Sequence, residues 1–106
     1  IGIDENGNLK DKAYHSCGKS ITTCPNGEEF AGKAFPGYDK MVDMLIECHK
    51  KLPYFRFVGW DFAIDSEGNP RIMEYNIKGP GLLYYQYVNG PLLGKYTDMI
   101  IERFKR

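Results

Sequence analysis

Residues 55–76 constrain this chain more than any other stretch. The run from Phe55 to Ile64 is rich in aromatic and β-branched residues. Ser66-Glu67-Gly68-Asn69 supplies turn chemistry, and Pro70 to Asn76 forms a returning strand. A turn centred on Glu67-Gly68 sets Asp61 opposite Glu74 and Gly59 opposite Asn76. Side chains alternate along a strand, and directly paired residues share a face. Asp61, Glu74 and Asn76 therefore fall on one side of the hairpin. Val58, Trp60, Phe62, Ile64, Met73 and Tyr75 fall on the other, which reads as core.

Two ionised carboxylates about 5 Å apart repel by roughly 3 kcal/mol at an effective dielectric near 20. A sheet shaped only for stability avoids such a pair. A cation between them turns repulsion into coordination. Two carboxylates and an amide form an all-oxygen set that suits Mg²⁺ or Mn²⁺, with substrate phosphates completing the shell. The plain alternative is an exposed hairpin face whose carboxylates are solvated separately.

The 106 residues suffice for one domain with a modest core. Fourteen basic and fourteen acidic residues cancel, so charge makes no case for nucleic acid or a membrane surface. No apolar run approaches a membrane span and no signal peptide is visible. The first residue is Ile1, so the chain reads as processed or cut from a longer protein. Three irregularly spaced cysteines argue against a disulfide framework and fit a reducing cytoplasm. His15, Cys17, Cys24, Cys48 and His49 lack the C-x-x-C spacing of a zinc site.

Residues 1–3 read as a strand end, followed by an Asn6-Gly7 hairpin turn and a returning strand over 9–16. Residues 20–23 suggest a further short strand. The acidic turns 4–8 and 65–69 resemble each other, and neither carries the Glu at position twelve of a calcium loop. Residues 25–36 read as a loop. The spacing of Tyr38, Met41, Val42, Leu45, Cys48 and Leu52 predicts a helix over 38–52, stopped by Pro53. His49 is expected to face solvent. Leu82 to Val88 suggests a short helix whose Tyr84, Tyr85 and Tyr87 could line a sugar or nucleotide pocket, with packing against the sheet as the plainer reading. Pro91 opens a helix over 92–104 with Leu93, Tyr96, Ile100 and Phe104 on one stripe. There is no Walker A pattern. The expected fold class is α+β: an antiparallel sheet against two main helices, in a single partial domain over 1–106.

Asp61 precedes Glu74-Tyr75-Asn76 by thirteen positions, and Val58-Gly59-Trp60 and Gly79-Pro80-Gly81 flank them. In these residues the chain resembles the C-terminal half of the ATP-grasp catalytic lobe, most closely the sugar-transfer-associated group. The resemblance is sharp from Phe57 to Gly81. It implies that Asp61, Glu74 and Asn76 hold Mg²⁺ (or Mn²⁺), with ATP as substrate. It implies a carboxylate ligase working through an acylphosphate, set in cell-surface polysaccharide synthesis, whose missing upstream lobe supplies most of the ATP grip. The isolated chain is then expected to be inactive. The glycine loop would lie near the acceptor or the transferred phosphate, with Lys78 as the cation placed to reach a phosphate. Gly59 stands where many ATP-grasp enzymes carry Arg, so Arg56, Arg71 or Lys78 would supply that charge. Two rival readings are a non-catalytic module that keeps the hairpin as an interaction surface, and an unrelated small α+β domain with an incidental acidic pair.

Overall fold

The architecture begins with one turn used four times. The computed structural model describes residues 1–105. Within it, residues 4–8, 15–19, 24–28 and 65–69 form loops of one kind. In each, the glycine N–H donates to the first residue's carbonyl, and the first residue's N–H donates to the carbonyl just after the glycine. Gly7, Gly18, Gly27 and Gly68 have φ between 77° and 85°, the left-handed position that this hairpin loop requires. The two acidic turns add a further lock. Asp4 Oδ1 accepts from the N–H groups of Asn6 and Asn8, and Asp65 Oδ1 accepts from those of Glu67 and Asn69. These bonds, those to Asn8 and Asn69 foremost, hold both carboxyls below the usual aspartate range. The acidic residues serve the turn itself, which accounts for them without calcium.

The strands are α+β in kind but fall into two sheets rather than one. In the first, β1 (Ala13–Tyr14) pairs antiparallel with β2 (Ser20–Ile21). In the second, β3 (Gly59–Ile64) pairs with β4 (Pro70–Asn76). The strand expected over 9–16 shrinks to β1 and one bridge, Ile3 to Leu9. Lys10-Asp11-Lys12 offers no apolar alternation to extend it. Residues 25–36 form a loop crossed by bridges from Thr23 to Glu29 and from Asn8 to Ala34.

Helix α1 (Tyr38–Lys50) follows its predicted stripe, with Met41 at 6% exposure the best-buried apolar residue. It ends two residues early, as the Lys51 and Leu52 N–H groups turn back to the carbonyls of Cys48 and His49. Both acidic turns press against its start. A side-chain carbon built on Gly7 would lie 2.8 Å from the Tyr38 ring, and one on Gly37 would lie 2.6 Å from the Gly68 carbonyl oxygen. Lys40 Nζ also donates to Asn69 Oδ1 at 3.0 Å. The core lies between α1 and the back of the β3–β4 hairpin. There Phe35 meets Phe62 edge-on at 6.2 Å, and Trp60 lies 5.7 Å from Tyr75 and 6.2 Å from His49. His49 is thus partly covered rather than solvent-facing, its Nε2 2.8 Å from the Phe55 carbonyl oxygen.

Helix α2 (Leu82–Asn89) forms as expected. The next predicted helix starts late: Gly94–Tyr96 is a 3₁₀ turn and α3 covers Thr97–Phe104. Gly94, at φ 43°, keeps residues 92–93 out of a continuous α-helix. Of the two main helices expected on the sheet, α1 packs on β4, whereas α3 leaves Met99, Ile101 and Phe104 exposed. The radius of gyration is 15.6 Å, against about 13 Å for a compact chain of this size.

Candidate functional site

The β3–β4 ladder pairs Gly59 with Asn76, Trp60 with Tyr75 and Asp61 with Glu74, the pairing expected for a turn centred on Glu67-Gly68. Beyond Asp61 the register shifts, so Phe62 pairs with Ile72 and Met73 is left without a partner. This is a β-bulge, and one extra residue moves everything beyond it to the opposite face. Ile72 takes the core-side position expected for Met73, and Met73 is 72% exposed. The bulge sits next to Glu74, so the acidic face keeps its expected register while the turn half of the hairpin does not.

Asp61, Glu74 and Asn76 thus share one face. Asn76 Nδ2 donates to Asp61 Oδ2 at 3.4 Å, a long contact. Rotating that amide by half a turn would bring its oxygen toward Asp61, giving three oxygen ligands on one surface. The donor set fits a hard divalent cation. Among the described residues, no three of His, Cys, Asp and Glu gather as a metal site, so the five scattered His and Cys residues do not come together. The candidate set relies on an amide as its third ligand.

A cleft of about 380 Å³ opens beside Asp61 and Asn76. Its floor is Gly59, which is buried. A side-chain carbon there would lie 2.8 Å from Pro80 Cβ. The absence of a side chain at Gly59 is therefore what lets Pro80 sit down on the strand. The loop around Pro80 is tight: the Gly81 N–H donates to the Gly79 carbonyl at 2.8 Å, and both glycines have positive φ. Gly81 then opens α2, which brings Tyr84 and Tyr85 to the cleft wall. For these two tyrosines the sequence offers both pocket lining and sheet packing, the second as the plainer reading, and the structure sets them on the cleft wall. Helical spacing within so short an element does not reveal that they face a cleft.

The candidate cations behave differently. Lys78 is exposed and does not line the cleft. Arg71 pairs with Ala63 in the turn half, and its Nε donates to Asp65 Oδ2 at 3.0 Å, so it supports the turn rather than the site. Arg56 is exposed and does not line the cleft.

An α+β chain with an acid–amide hairpin face and a glycine loop beside it is of the ATP-grasp class. A family model described as sugar-transfer associated ATP-grasp matches residues 1–101, and the chain belongs to that family. Comparison with curated proteins and with solved structures gave no match.

Proposed function

We propose that this chain is a partial domain carrying the metal-binding end of a Mg-ATP-dependent carboxylate ligase, which works through an acylphosphate and is linked to cell-surface polysaccharide synthesis. The observation that carries the reading is the pairing of Asp61 with Glu74 and of Gly59 with Asn76, which sets three oxygen-bearing side chains on one face. Family membership supports ATP as the nucleotide and a carboxylate as its partner. The exposed apolar side chains of α2 and α3 support a domain completed by further chain, in the protein that contains this one.

Asp61, Glu74 and Asn76 would hold Mg²⁺ or Mn²⁺. When bound, the cation neutralises phosphate charge and orients the terminal phosphoryl group. The chain's own contribution is positioning. The strand pair holds the carboxylates in fixed register, and the bulge at Met73 lets the hairpin bend without disturbing them. Lys78 remains a proposed phosphate contact that would need the exposed side chain to swing toward the site. No membrane-crossing helix exists among the described residues; a cytoplasmic setting is part of the proposal, as is the absence of a nucleic-acid partner. The isolated chain is expected to show no ATP-dependent ligation.

The test is titration of Mg²⁺ or Mn²⁺ with ATP present, comparing the full-length protein with its Glu74→Gln variant. The expected outcome is metal-dependent ATP binding that weakens at least about tenfold in the variant, as expected when a ligand of the ion loses its charge. Equal binding by both proteins would remove the hairpin face from the active site.

A further inference from the structure

The cleft beside Asp61 is larger than a metal site needs, and its wall has a distinctive chemistry. Asp61 is its one charged side chain; among the described residues no Lys, Arg or His lines it. With Asp61 and Asn76 committed to a cation, what remains is glycine backbone, the Pro80 ring and two phenols. An anionic group entering this part of the cleft would find no basic side chain to balance it. An uncharged group would find hydrogen-bonding partners and flat apolar faces.

The two rings are available and braced. Tyr84 is 48% exposed and Tyr85 38%, and among the described residues neither hydroxyl has a protein hydrogen-bond partner. Tyr84 meets Tyr87 edge-on at 6.5 Å, and Tyr87 stacks on Tyr14 at 5.8 Å with planes 18° apart. Lys10 Nζ holds the Val88 carbonyl at 3.0 Å near the far end of α2. A ring packed on such a support loses less freedom when a ligand arrives. A phenol offers an apolar face and a polar tip, which complements a ring with C–H faces and a hydroxyl rim. The volume lies in the range of small-molecule sites.

We infer that this cleft is the subsite for an uncharged, hydroxyl-bearing ring of the pyranose type on the second substrate, packed against Tyr84 and Tyr85. The inference rests on the proposed metal role of the adjacent hairpin face. Pro80, seated on Gly59, sets the depth of the subsite. Gly59→Ala is therefore expected to displace the loop and weaken ring binding.

Saturation-transfer NMR on the full-length protein, in EDTA, tests this with methyl glucoside, methyl galactoside and methyl mannoside against glucuronate and inorganic phosphate. At least one neutral glycoside is expected to receive saturation from aromatic protons and to shift the Gly79 and Gly81 amides. Its Kd should rise about three- to tenfold in Tyr84→Ala or Tyr85→Ala, with Tyr→Phe at the same positions retaining most of the affinity. Three results overturn the inference: no transfer from any neutral glycoside, tighter binding of phosphate or glucuronate at the same amides, or unchanged affinity in both alanine variants. The wild-type ligand comparison decides the matter even where an alanine variant fails to fold. Retained glycoside binding with metal-independent ATP binding would sink the hairpin metal reading alone. Metal-dependent ATP binding without glycoside binding would sink the subsite alone.

Discussion

Asp65 and Asp61 stand four residues apart on one hairpin, and the fold treats them differently. Asp65 accepts two backbone N–H groups and the Arg71 guanidinium. Asp4 repeats the backbone part of that pattern in the first turn. Asp61 has one long contact with an amide, and it faces Glu74 across the ladder. The turn aspartates are satisfied by their own backbone. The ladder carboxylates face each other, and among the described residues no cationic side chain lines the cleft wall. An acidic residue satisfied by its own fold needs no ligand to explain it, whereas a facing pair on a strand does.

The largest effect that would sharpen this contrast comes from truncating each acid. Asp65→Ala leaves two turn N–H groups without their acceptor and should lower Tm by about 5 °C or more. Asp61→Ala relieves repulsion and should leave Tm within about 3 °C of wild type, or raise it. Equal losses in thermal unfolding would break the distinction between the two acids.

Acid titration gives the next effect. The carboxyls of Asp4 and Asp65 are held below their usual range by turn hydrogen bonds. A lowered folded-state pKa contributes stability that is present above the unfolded value of about 3.9 and is lost as pH falls through the folded value. Stability should therefore decline as pH drops below about 4. Asp4→Asn with Asp65→Asn should flatten that part of the profile. The smallest effect is at the bulge. Met73→Ala should change stability by no more than about 0.5 kcal/mol, because Met73 is unpaired and exposed. A cost several times larger in denaturant unfolding would mean that Met73 is packed in solution.

Much of this was legible in the residues. The Asn6-Gly7 and Glu67-Gly68 steps mark turns because only glycine enters the left-handed position cheaply, and that preference is local. The stripe on α1 is local in the same sense, since 3.6-residue periodicity needs no knowledge of the partner surface. The shared face of Asp61, Glu74 and Asn76 was read from alternation and a turn centred on Glu67-Gly68; in the structure the turn half alone would set Asp61 opposite Met73, and the bulge restores Glu74. The bulge did not follow, because nothing in Ile72-Met73 announces where a ladder will admit an extra residue. The role of Tyr84 and Tyr85 was left open between pocket lining and sheet packing. Their spacing fits packing and lining equally well, and the choice depends on where α2 is anchored.

By itself, then, the sequence determined the two acidic turns, the helix stripe and the acid–amide motif, because each rests on steric preference or period within a few neighbouring residues. Only the tertiary structure decided that Pro80 rests on Gly59, that Arg71 serves a turn while Lys78 stays outside the cleft, and that two tyrosines line the wall beside Asp61. Those outcomes depend on contacts between distant segments, whose closeness is set by packing and loop closure rather than by any local preference.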